Sequence, residues 1–121
     1  MAIRVLIADD ASMTRMILKS AFSSDEFEIV GEAKNGNEAV ELYEQTKPDI
    51  VTMDITMREK NGIEALEEIK KKYPEAKIIM VSAMGNDDYV KKAIELGADE
   101  FVVKPFSKEK LVEVVKKVYN G

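Results

Sequence analysis

Asp9 and Asp10 stand side by side just past the apolar run Ile3-Arg4-Val5-Leu6-Ile7-Ala8. Asp54 follows a second strand-like segment, Ser82 a third, and Lys104 a fourth. In an open parallel sheet, ligands bind where the strands end, so these residues would converge on one edge. Three carboxylates and one ammonium carry a net charge of −2, which calls for a divalent cation. With only oxygen donors on offer, Mg²⁺ is the natural occupant, keeping most of its water beside one or two carboxylates. Without metal, the crowded carboxylates repel and at least one pKa should rise. Each residue alone has an ordinary explanation. Asp10 could cap the next helix, Ser82 could begin a loop and Lys104 could be a solvated lysine. Four strand ends with compatible chemistry are harder to explain that way.

The elements that must position these groups are legible in the hydrophobic pattern. Strands are predicted over Ile3–Ala8, Glu28–Ala33, Asp49–Met53, Lys77–Val81 and Glu100–Val103. Helices follow each of them. The first, Ser12–Ser23, would turn Met13, Met16, Ile17, Ser20 and Ala21 inward. The second and third open with Asn35…Glu38 and Asn61…Glu64, the spacing of a capping box, and stop before Pro48 and Pro74. Asn86 would cap the fourth, whose first turn carries Asp87 and Asp88 at the positive end of the dipole, with Val90, Ala93 and Ile94 as its anchors. Gly97 would end it. Ser107 would open the fifth, with Leu111, Val114, Val115 and Val118 facing the core. Five alternations of strand and helix predict an α/β fold with a five-stranded parallel sheet covered on both faces. No linker or second composition divides residues 1–121, so a single domain is expected.

Composition narrows the chemistry further. Among 121 residues there is no Cys and no His, which excludes disulfides, thiolate metal sites, catalytic triads and imidazole acid–base work. With 18 basic against 23 acidic residues the net charge is −5, so bulk nucleic-acid binding is disfavoured. No apolar run approaches the ~18 residues that read as a membrane span. The N-terminal segment reaches its aspartates too soon for a secretory signal, so a cytoplasmic location is expected.

The pair Asp9-Asp10, Asp54 followed by Met57 and Gly62, Ser82-Ala83, and Lys104-Pro105 together resemble the response-regulator receiver domain, over the whole chain. Because nothing follows the fifth helix, the resemblance is to the stand-alone chemotaxis type. That type is itself a standard example of the flavodoxin-like, doubly wound (βα)5 fold, so the strand order 2-1-3-4-5 is implied by resemblance and not by the pattern. The resemblance implies that Asp54 accepts a phosphoryl group from a sensor histidine kinase. It implies Mg²⁺ held by Asp10, Asp54 and the backbone carbonyl of Thr56, with Asp9 on the ion or its water. Ser82 would bond a phosphoryl oxygen and Lys104 would pair with it. In phosphoryl transfer the in-line geometry and neutralised equatorial charge are nearly all that a protein supplies, and these groups suit that task. Two positions depart from the family. Arg58 stands where proline is usual, removing a fixed φ and adding a cation, and Phe101 stands where a switch tyrosine is common.

The resemblance further implies an output through protein surfaces, namely a motor switch protein or its adaptor on the face made by the fourth helix, fifth strand and fifth helix. It also implies a phosphatase and a monomeric state, without nucleic-acid or membrane partners. Ser82 and Phe101 would couple site to surface. The alternative within the family is a phosphorelay carrier serving other kinases or outputs. An aspartyl-phosphate hydrolase would want Asp-x-Asp after the first strand, and a flavin or nucleotide binder a Gly- or hydroxyl-rich loop there. Asp9-Asp10-Ala11 is neither.

Overall fold

Continuous apolar strands bounded by side chains that cap helices leave little choice of architecture. A computed structural model describes residues 2–121. The strands are β1 (Ile3–Ala8), β2 (Phe27–Ala33), β3 (Ile50–Met53), β4 (Ile78–Ser82) and β5 (Glu100–Val103). Between and after them come α1 (Ser12–Ala21), α2 (Gly36–Thr46), α3 (Gly62–Lys72), α4 (Asp87–Glu95) and α5 (Lys108–Asn120). All pairings are parallel, in the order β2-β1-β3-β4-β5. The flavodoxin-like order implied by resemblance is therefore the observed one. Successive strand residues serve opposite faces. Leu6, Val51, Met53, Ile78 and Met80 pack under α2, α3 and α4, against residues such as Ala39, Leu66 and Ala93. Val5, Ile7, Ile50, Ile79 and Val81 pack with Leu18, Phe22, Leu111 and Val115 of the α1/α5 side. None of the described helices is long and apolar enough to cross a membrane.

Asn35, Asn61, Asn86 and Ser107 each accept the backbone N–H of the third residue of their helices, as the spacing predicts. The Asn61–Glu64 box is complete. At α2 only half of it forms, because Glu38 accepts from the Lys34 N–H, at 2.9 Å, and not from Asn35.

Two predicted faces are corrected. In α1 the buried residue is Leu18, with Phe22 directly beyond the helix, whereas Met13, Met16 and Ile17 are 72%, 66% and 43% exposed. Two apolar stripes compete on this helix. Leu18 and Phe22, one turn apart, win the sheet face, where Phe22 packs tilted on Phe27 with ring centroids 5.0 Å apart. In α4 only Ala93 is fully buried, and Ile94 is 52% exposed.

Among the described residues, one buried side-chain group is unmatched. Thr52, in the central strand between Ile7 and Ile79, has a buried hydroxyl with no partner. Thr52→Val keeps the shape and removes that desolvated group, so it should raise stability by about 1 kcal/mol. Urea unfolding checks this, and a loss of stability would show that the hydroxyl is satisfied in solution.

Candidate functional site

The strand ends bring the predicted groups together. Asp9, the first residue after β1, is 1% exposed, and its N–H donates to Ala33 O at 3.0 Å. Asp9 Oδ1 accepts the Ala11 N–H at 2.9 Å, and its Oδ2 accepts from Lys104 Nζ at 2.8 Å. Asp54, just past β3, is 6% exposed, and its N–H donates to Ala8 O at 2.9 Å. Lys104 Nζ reaches Asp54 Oδ2 at 3.5 Å, so one ammonium spans two buried carboxylates. Asp10 is exposed beside them. Asp9, Asp10 and Asp54 each offer an oxygen within 4.8 Å of the others, which fits an oxygen-seeking divalent cation.

Burial, and next the Asp9 carboxylate, push the Asp54 carboxyl above the ordinary aspartate value. Lys104, the Ser82 hydroxyl and the Ile55 amide pull it back. The expected repulsion thus falls on the acid that is both enclosed and next to a like charge.

Ser82 is fully buried as the last residue of β4, one position inside the strand that the hydrophobic pattern had closed at Val81. Its Oγ accepts the Met84 N–H at 3.1 Å, and its carbonyl accepts the Lys104 N–H at 2.9 Å. The ends of β4 and β5 are thereby tied, and the Lys104–Pro105 peptide that follows is cis. Phe101 is half-buried against the α2–α4 side of the core. Thr56 is exposed in the loop after Asp54.

That loop is tied to the turn after β2. Arg58 forms an isolated parallel bridge with Asn35, and the Gly36 N–H donates to Lys60 O at 2.7 Å. Gly62 lies so near the chain at Asp54 that a Cβ there would sit 1.8 Å from Asp54 O. Arg58 is exposed and lines a cleft of about 430 Å³ with Asp10, Lys34, Asn35, Glu38 and Glu59. Strand-end reasoning missed one participant. Arg15, in α1, donates through Nη1 to Asp9 O at 2.7 Å. Its being an arginine six residues after Asp9, on the helix that leaves the site, was the available signal.

This constellation also identifies the chain. The family model of the response regulator receiver domain matches residues 5–116. The chain belongs to that family. The receiver is 56% identical to Chemotaxis protein CheY of Thermotoga maritima over 95% of its own length and 96% of the relative's. It is 50% identical to Chemotaxis protein CheY of Bacillus subtilis, over 99% of its length and 100% of the relative's. Among solved structures it superposes on the CheX–CheY–BeF3–Mg²⁺ complex from Borrelia burgdorferi with a TM-score of 0.92 at 39% identity, covering 96% of this receiver and 88% of that chain. A receiver is a signalling regulator and not a classical enzyme.

Proposed function

We propose that this receiver is the phosphorylation-driven switch of a chemotaxis pathway in the cytoplasm, with Asp54 accepting a phosphoryl group from a sensor histidine kinase. The observation that carries this reading is the meeting of Asp54 with Asp9, Asp10 and Lys104 in one cluster, in a chain that is 56% and 50% identical to two chemotaxis proteins. An Asp54 carboxylate oxygen attacks phosphorus in line. The P–N bond to the donor imidazole breaks, and the imidazole leaves with the bonding pair and takes up a proton. Lys104 already holds its ammonium 3.5 Å from Asp54 and can follow the negative charge onto the phosphoryl oxygens. Ser82 accepts from Met84, and its hydroxyl, which already lowers the Asp54 pKa, can turn its proton to one of those oxygens. Asp10, Asp54 and the Thr56 carbonyl are the groups to hold Mg²⁺, with Asp9 behind them. When bound, the ion supplies the remaining neutralisation of charge.

Drawing Ser82 toward the phosphoryl group pulls on the β4–α4 loop. Phe101, half-buried beside it, can move into the space released, and α4, held by the buried Ala93 and the partly buried Tyr89, can shift. The face formed by α4, β5 and α5 then presents a different surface to a motor switch protein or its adaptor. Only contacts that differ between the two states can be read in this way. A phosphatase that resets the site and a monomeric working state complete the reading. The Borrelia burgdorferi relative, solved with CheX, BeF3 and Mg²⁺, supports it by analogy.

The test is incubation with acetyl phosphate with and without Mg²⁺, followed by mass spectrometry. One phosphoryl group on Asp54, added only with Mg²⁺, is the expected result. Label elsewhere, or sustained turnover without label, overturns the reading. Asp10→Asn should weaken Mg²⁺ binding at least about 10-fold, since even groups behind the ligands have effects of that size. Titration calorimetry giving equal affinity would remove Asp10 from the metal site.

A further inference from the structure

Every polar group of Asp9 is engaged. Its N–H, both carboxylate oxygens and its carbonyl have partners, and the partner of the carbonyl is the Arg15 guanidinium. That carbonyl belongs to the Asp9–Asp10 peptide. A peptide unit is planar, so fixing its oxygen fixes the direction in which the chain reaches the Asp10 Cα. Asp10 is exposed, and none of the described salt bridges or side-chain hydrogen bonds involves its carboxylate. Its aim is therefore set through the backbone. The usual alternative, a capped helix start, is missing at this point: α1 begins after Ala11, which offers no side-chain cap.

Arg15 is itself braced. Its side chain is only 11% exposed, and Nε donates to Glu32 Oε1 of β2 at 3.2 Å. Lys19, one turn further along α1, donates to Glu32 Oε2 at 3.0 Å. The planar guanidinium thus spans from an edge strand to the peptide between the two acids, a geometry that an ammonium cannot reproduce at both ends.

We infer that Arg15, held by Glu32, is a positioning residue of the metal site, fixing the Asp9–Asp10 peptide so that Asp10 meets the cation bound by Asp54. This rests on the reading of the three aspartates as the Mg²⁺ site.

The sign of the effect separates positioning from charge. Taking a cation away from three carboxylates would, by charge alone, strengthen the binding of a dication. Loss of positioning weakens it. Mg²⁺ titration by calorimetry on the folded protein, with no phosphoryl donor present, is the direct readout. Arg15→Ala should weaken Mg²⁺ binding about 10-fold, the scale of groups that orient metal ligands. Arg15→Lys should recover only part of the loss. Glu32→Gln, at a half-exposed side chain that leaves Arg15 in place, should weaken binding by a smaller factor and guards against an Arg15→Ala protein that does not fold. Unchanged or tighter Mg²⁺ binding in folded Arg15→Ala overturns the inference, as does full recovery by lysine. A lower melting temperature with wild-type Mg²⁺ affinity in Arg15→Ala and Glu32→Gln also overturns it, leaving Arg15 a brace of the fold alone. If the wild type itself binds no Mg²⁺, the metal site fails first and the positioning role falls with it.

Discussion

Asp54→Asn should abolish phosphoryl uptake and yet leave a more stable protein at neutral pH. The change is nearly isosteric, and it removes a carboxylate that burial and Asp9 hold above its ordinary pKa. Folding therefore favours the protonated acid. That favourable contribution is complete below the unfolded pKa and is lost as pH rises through the folded one. At neutral pH the wild type carries the charge at a cost that the asparagine variant escapes. A gain of about 1 kcal/mol is expected, the scale of enclosing a carboxylate beside a like charge when a nearby ammonium offsets much of the cost. The gain should shrink to nothing on acidification, where both proteins are neutral at this position. On the proposed function Mg²⁺ should reverse the order, because an ion held by the native wild type would stabilise it by mass action while the variant would lack a ligand. Thermal melts across pH, with and without Mg²⁺, test all three statements. A variant less stable than the wild type at neutral pH without metal would show that the Lys104 contact outweighs the repulsion.

Gly62→Ala should have the largest effect on the fold. A Cβ at this position would lie 1.8 Å from Asp54 O, 2.7 Å from the Asp54 carbonyl carbon and 2.9 Å from Ile55 Cα. All three are backbone atoms, so no side chain can rotate away. The Gly62 N–H also donates to Ile55 O at 2.8 Å, and retreat of α3 would break that bond. A loss of about 3 kcal/mol and a fall in Tm of about 10–15 °C are expected. Gly31→Ala is the control, since its Cβ would meet only the Leu6 and Leu42 side chains, at 3.2 Å and beyond. A Tm for Gly62→Ala close to that of Gly31→Ala would show that the approach of α3 to the Asp54 peptide is not needed. The spacing of Asp54 and Gly62 thus has a mechanical reason. The helix after β3 starts against the peptide that carries Asp54.

Much of this architecture was legible because the decisive signals are local. Strands buried on both faces read as unbroken apolar runs, and Asn61 with Glu64 announces a helix start from four residues. The strand-end rule then places Asp9, Asp54 and Lys104 at one edge without any knowledge of strand order. The α1 face was not legible. Met13, Met16 and Ile17 have the same helical spacing as a core stripe, and only the position of the helix over the sheet decides for Leu18. Arg15 escaped notice for the same reason. Its partner is a backbone carbonyl, and side-chain spacing carries no record of where carbonyls point. The hydrophobic pattern ends β4 one residue early, at Val81, because a hydroxyl ends a hydrophobic run even when its backbone continues the ladder.

The bonds joining Gly36 to Lys60 and Asn35 to Arg58 fasten the turns after β2 and β3 to each other. Among the described residues, no backbone hydrogen bond ties Ala83, Met84 or Gly85, after β4, to another loop. The strand-end site therefore lies between a fastened, stationary side, the turns after β2 and β3, and the β4–α4 loop, which has no such tie. A protein docking over α2 and the turn before α3 would meet the same surface whether or not Asp54 is modified, and would hold the receiver constitutively. On the proposed function, discrimination between the phosphorylated and unphosphorylated receiver would come from the β4–α4 side. Recruitment and readout can then evolve on separate surfaces, because a substitution that tightens tethering on the stationary side leaves the response unaltered.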